Sequence, residues 1–228
     1  MGLGDIRYTV LEVVNEVQRK LGLDSTSLSG NKLSIQLVDF VNDVCNDLSD
    51  YGNWVETIVS ANVTAVSGRR DYSITTSANI KNIGDIYFST RTGPLRNITI
   101  QDMRILTRVT SNGTPTQFSI VTTDANGNPG FRVRPTPGAN ENGELFSIFY
   151  YTRPPSYTTN DGSLVIPFPG QIVVDGVHAR ALLNESGGAP TNHYAQIYNS
   201  YIQGRKEALN RFKGDTGWEI NMVPRGWR

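Results

Sequence analysis

The stretch LSIQLVDFVNDVCNDLSDYG (residues 33–52), followed by WVETIVSANVTAV (54–66), decides the fold, because the hydrophobic period changes within it. In the first half Leu33, Leu37, Phe40, Val41, Val44 and Leu48 recur at three- and four-residue spacing, which is one face of a helix. The Tyr51-Gly52 pair closes it. From Trp54 to Thr152 the chain turns to short runs rich in Thr, Ile, Val and aromatic residues, cut by Gly, Asn and Pro. Strands are predicted at 54–66, 71–75, 83–89, 116–123, 130–134 and 144–152, with a short helix at 101–109. Ser67-Gly68 reads as a tight turn and 124–130 as a longer hairpin loop.

Upstream of the deciding stretch, Ile6, Val10, Val13, Val17 and Leu21 predict a helix over 6–22 that ends at Gly22, with a Ser-rich loop after it. Downstream, helical spacing returns at 168–184 through Ile172, Val173, Val177 and Leu183, although Gly176 weakens its middle. Gly187-Gly188 break the chain, and Pro190 suits the first turn of a final helix that stops at Gly214. Arg205, Lys206, Arg211 and Lys213 fall in the closing turns of that helix, where cations complement the macrodipole. The tail from Asp215 has no usable period. The expected class is α+β: a helical bundle from both chain ends, an inserted antiparallel β-sandwich or half-barrel, and an extended C-terminal arm. The expected parts are a helical hairpin at 1–52, a β-domain at 53–166, closing helices at 167–214 and the arm at 215–228.

At 228 residues the chain is long enough to bury a substantial core. Twenty-one basic side chains balance twenty-one acidic ones, so no global field draws it onto nucleic acid or an anionic membrane. Sixteen of the cations are Arg and five are Lys, which favours fixed, paired contacts. No apolar run reaches the roughly 18–20 residues that span a bilayer, and no signal-peptide pattern opens the chain. A soluble, non-secreted protein with no membrane contact is expected.

Reactive side chains are few. There is one cysteine, Cys45, next to Val44 on the apolar face of its helix, which reads as a small buried thiol rather than a nucleophile. His178 reads as a partly exposed helical histidine and His193 as a first-turn residue. No zinc-protease, nucleophile-elbow, phosphate-loop or dinucleotide motif is present. No catalytic residue, metal site or cofactor is expected.

Three features call for partners. Asp39, Asp43 and Asp47 are four apart and stack on one helix face, with Asp50 a turn further on and no Lys or Arg after Lys32. The plain reading is a solvated face; the functional ones are pairing with Arg of another subunit (Arg7, Arg19 or the Arg-rich strand at 131–134 as donors) or a wall that repels DNA. Tyr194, Tyr198 and Tyr201 give the last helix an amphipathic stripe suited to its own core and to a partly wet subunit contact. The tail holds Trp218, Met222, Pro224, Arg225, Trp227 and Arg228, residue types that anchor interfaces, and reads as a docking arm or as a segment folded back on its own chain.

Several segments together resemble the head-to-tail adaptor (connector, or head completion) proteins of tailed bacteriophages, nearest to the tail-tubular-protein-A type. They are Leu11-Glu-Val-Val-Asn-Glu-Val with Lys20-Leu-Gly22, Phe40-Val-Asn42, Trp54, and Gly68-Arg-Arg-Asp-Tyr72-Ser-Ile74. Gly113-Thr-Pro115, Phe131-Arg-Val-Arg-Pro135-Thr-Pro137, Phe149-Tyr-Tyr151-Thr-Arg-Pro154, Asp161 and Ile166-Pro167 follow in order. The sequence departs from the pattern at Ile74-Thr75, which lacks the usual Pro, and in its tail. The resemblance implies a non-enzymatic virion component, made in the host cytoplasm, that forms a dodecameric ring at the head-tail junction. Its implied partners are the portal protein, a tail or nozzle protein, further copies of itself and DNA passing through the channel. An alternative is a virion β-sandwich binding or decoration protein using Tyr87, Phe88, Tyr150 and Tyr151 as a platform, of which strand alternation places half in the core. An enzyme built on His178 or Cys45 lacks motifs, and a tail-terminator or neck protein would be smaller and more purely β.

Overall fold

The computed structural model describes residues 6–23, 32–74, 79–106, 111–121 and 129–216, the last six of these by backbone alone. The chain forms two compact units, one from Met1–Glu56 with Pro154–Arg228 and one from Thr57–Arg153.

Among the described residues the first unit contains four α-helices: α1 (Val10–Lys20), α2 (Lys32–Tyr51), α4 (Gly170–Glu185) and α5 (Asn192–Thr216). α1 begins later than its apolar spacing suggests. Thr9 caps it, its hydroxyl accepting from the Glu12 N–H at 3.2 Å while the Glu12 carboxylate accepts from the Thr9 N–H at 2.7 Å. Ile6 therefore lies outside the helix and is 58% exposed. Residues 6–11 instead run beside the segment before α4: Gly170 N–H donates to the Ile6 carbonyl and Val10 N–H to that of Leu164. Gly22, at φ +74°, takes the left-handed conformation that closes α1.

α4 is buried on nearly every side, through Ile172, Val173, Val174, Val177, His178, Ala179 and Ala181, and it packs against α1, α2 and α5. Gly176 makes that placement possible. A Cβ there would lie 2.9 Å from Val44 and 3.0 Å from the Tyr201 ring. Trp54, predicted to open the first strand, belongs to this helical core instead. It is fully buried, donates from Nε1 to the Leu48 carbonyl at 2.7 Å, and meets the edge of Phe168 with centroids 5.5 Å apart. After Gly187 and Gly188, both at positive φ, Thr191 caps α5 by accepting from the Tyr194 N–H. Pro190 thus precedes the helix, and α5 runs through Gly214 to Thr216 rather than stopping there.

The second unit starts with a 3₁₀ turn (Val55–Thr57, whose last residue is the unit's first) and then β1 (Ile58–Thr64), β2 (Asp71–Ser73), β3 (Ile80–Phe88) and β4 (Arg96–Asn97). There follow α3 (Ile100–Leu106), β5 (Gln117–Val121), β6 (Gly130–Arg134) and β7 (Leu145–Thr152). The strands make two sheets, ordered β1-β7-β3 and β2-β6-β5-β4. The expected antiparallel arrangement is corrected where β4 pairs with β5 in parallel and where Asn112 bridges Thr136 in parallel. Among the described residues no closed barrel forms. Both sheets contribute to one core, in which Phe146 of β7 touches Phe88 (4.8 Å between centroids), Tyr72 (4.9 Å) and Phe131 (5.5 Å). The turn with Gly68 at φ +79° joins β1 to β2, yet these strands enter different sheets.

Candidate interaction surfaces

The acidic face of α2 divides on folding. Asp39, Asp43 and Asp50 are exposed, and Asp39 and Asp43 have no ion-pair or hydrogen-bond partner among the described residues. Asp47 is engaged within its own chain. Its carboxylate accepts from Arg205 Nη1 at 2.9 Å and from the Tyr201 hydroxyl. The Arg205 guanidinium lies over the Tyr51 ring, 4.1 Å from its centroid. Burial, followed by the hydrogen bond to Asp47, pushes the Tyr201 phenol well above its ordinary value, so it remains a donor. This cluster ties α5 to α2.

A second cluster joins α1, α4 and α5. Asp175 accepts from Lys20 Nζ at 3.1 Å, Gln171 Nε2 at 2.8 Å and Ser200 Oγ at 3.1 Å. Neither Asp175 nor the pairing of Arg205 was legible in the sequence, because the partners lie 155 and 158 residues apart and no local pattern links them.

The tyrosine stripe of α5 also divides. Tyr201 is in the helical core, whereas Tyr198 is 40% exposed and stacks on half-buried Tyr194, centroids 5.5 Å apart at 15°. The tail residues Trp218, Met222, Pro224, Arg225, Trp227 and Arg228 lie outside the described residues.

On the sheet β1-β7-β3, Phe88 and Tyr150 point into the core while Tyr87 and Tyr151 are half-buried. Tyr87 meets the edge of exposed Phe149 at 5.7 Å. Asp85 stands beside Tyr87 and Tyr151, its carboxyl raised by desolvation.

Both candidate reactive groups are buried. Burial pushes the Cys45 thiol up to about 12, far from a thiolate at neutral pH. His178 is a correction to its expected partial exposure. It is 3% exposed, its two ring nitrogens have no hydrogen-bond partner, and burial lowers its basicity. Its ring meets the edge of exposed His193 at 5.7 Å. Among the described residues no group of three or more His, Cys, Asp or Glu is placed to hold a metal ion, and no helix is long and apolar enough to cross a membrane.

The helical unit thus presents the unpaired carboxylates of Asp39 and Asp43 and the stacked Tyr194 and Tyr198, and the β-rich unit, taken by itself, presents Phe149 beside half-buried Tyr87. The model of the SU10 adaptor protein family matches residues 8–217, and the chain belongs to that family. It is therefore a bacteriophage adaptor, a structural connector protein, with its partners at the head-tail junction. The match stands at the level of the adaptor family and does not extend to the tail-tubular-protein-A type. No curated protein matches the chain significantly.

Proposed function

We propose that copies of this chain form a closed ring, dodecameric by the resemblance, that joins the portal to the tail and continues the DNA channel. The observation that carries the ring is the exposed, uncompensated acid on α2. Asp39 and Asp43 have no cation along their helix after Lys32 and none paired with them across from it among the described residues. Of the donors suggested by the sequence, Arg19 is already held by Glu16 and Arg132 by Asp71. Arg134 and Arg7 have no such partner among the described residues, and of these two Arg7 is the exposed one and Arg134 is half-buried. Arg7 of one copy against the α2 face of the next is a heterologous contact, which closes into a ring when its rotation fits the symmetry. The stacked Tyr194 and Tyr198 extend the contact as amphipathic rings suited to a wet rim.

In this reading the β-rich unit meets the tail or nozzle through Tyr87, Phe149 and Tyr151. Residues 215–228, with Trp218, Met222, Pro224, Arg225, Trp227 and Arg228, dock on the portal, Trp and Arg being residue types that anchor interfaces. The chain's zero net charge suits a conduit, since a basic lumen would grip the phosphate backbone. Mass photometry of the chain with and without purified portal rings tests this. Monomers alone and rings on the portal are expected. Deleting 215–228 abolishes portal binding and leaves the circular dichroism of the monomer unchanged, and Arg7→Glu blocks ring closure. Full binding by the truncated chain would refute the arm, and normal rings from Arg7→Glu would refute the pairing.

A further inference from the structure

The Val66–Arg69 turn passes the chain from one sheet to the other, so β1 and β2 leave it without pairing to each other. Each is the outermost strand of its own sheet. Ala61, Asn62 and Val63 of β1, together with Arg69 and Ser73, line a cleft of about 320 Å³. That volume is at the bottom of the range for small-molecule sites. Its lining comes from edge strands and the turn that joins them, which suits a polypeptide better than a compact ligand.

Sheet edges are normally protected by charge, proline, bulges or short length. β1 has none of these. It holds unbroken register with β7 over Ile58–Thr64, contains no charged residue and no proline, and leaves Ile58 and Val59 exposed. Its outer edge makes no backbone hydrogen bond among the described residues. The opposite edge of the same sheet is protected: β3 carries Lys81 and Asp85 and two breaks of register.

Arg69 supplies the charge of the cleft. It donates from Nε to the Asp71 carbonyl at 2.8 Å and lies 5.2 Å from the Tyr72 ring centroid. The Tyr72 hydroxyl in turn donates to the Arg69 carbonyl at 2.9 Å. The nearby Asp71 carboxylate is bound by Arg132 at 2.5 and 3.0 Å. Among the described residues no carboxylate lies within ion-pair distance of the Arg69 guanidinium.

We infer that this cleft receives an extended segment of another virion protein, added as a strand along β1, with an Asp or Glu that pairs with Arg69. Strand addition gives affinity through the backbone, and Arg69 gives selectivity for acid over base. The inference rests on the placement of the chain at the head-tail junction. Hydrogen exchange read by mass spectrometry on the full chain, free and in assembled particles, tests it. Amides in 58–64 exchange at least about tenfold more slowly in particles, and Arg69→Ala loses about tenfold of that protection while Arg69→Lys keeps most of it. Equal exchange of 58–64 in the free and assembled protein would overturn the inference. Undiminished protection in Arg69→Ala would overturn the acidic partner. Protection that grows with concentration in the free chain, together with a dimer, would make the occupant a second copy and overturn it as well. Particles that lack the chain altogether would refute the junction placement instead.

Discussion

Replacing Arg205 by Ala removes one side of the bond between α5 and α2. The Arg205 side chain is 16% exposed and the Asp47 side chain 40%. A hydrogen bond to a charged group contributes about 1.5–3 kcal/mol when sheltered, and the solvent at Asp47 brings the pair to about 1 kcal/mol. The guanidinium over Tyr51 adds about 0.5–1 kcal/mol, and the lost stem packing adds to that. The total is about 2 kcal/mol, or about 4–8 °C in melting temperature for a chain of this size. Urea denaturation followed at 222 nm reads mainly the helical unit, and a double-mutant cycle with Asp47→Asn isolates the pair. A coupling of about 1 kcal/mol is expected. A coupling below about 0.3 kcal/mol would refute the assignment of Arg205 as the tie between these helices.

Other substitutions follow from the same packing. Gly176→Ala is worth up to about 1 kcal/mol in helix propensity, but its methyl would press on Val44 and Tyr201; overpacking at about 1–3 kcal/mol wins, so thermal stability falls. Asn42→Leu removes two hydrogen bonds to the Tyr157 backbone, at 2.7 and 2.9 Å, and costs about 2–3 kcal/mol in urea titration. His178, flanked by Lys20, His193 and Asp175, has a basicity lowered by burial. The unfolded state therefore takes up its proton first, and stability is lost as pH falls below the ordinary histidine value near 6.5. His178→Phe should gain on the wild type between pH 7 and 5 in paired denaturation curves, with a constant difference above pH 7.

The faces of α1 and α2 were legible because apolar residues at helical spacing meet a single core. The true start of α1 was also written in the sequence, in Thr9-x-x-Glu12, but Ile6 fits the apolar spacing and masked it. β4 was not legible: two exposed polar residues, Arg96 and Asn97, carry no alternation. Trp54 was misread because an aromatic before a Val/Thr run resembles a strand start, while its partner Phe168 lies far along the chain. His178 was misread for a different reason. It follows Gln171 and Asp175 at helical spacing and so reads as part of a polar face, although the packed helices bury it. The exposed aspartates and Tyr198 were legible as candidates, but their division from Asp47 and Tyr201 required the third dimension. The cleft beside β1 was invisible, since Ser67-Gly68 announces a turn and not a change of sheet.

The most direct measurement is an electron-microscopic reconstruction of the full chain mixed with isolated portal rings. An annular layer on one portal face is expected, with Asp39 and Asp43 of each copy against its neighbour. A portal with no added layer, and the chain left monomeric in solution, would contradict it.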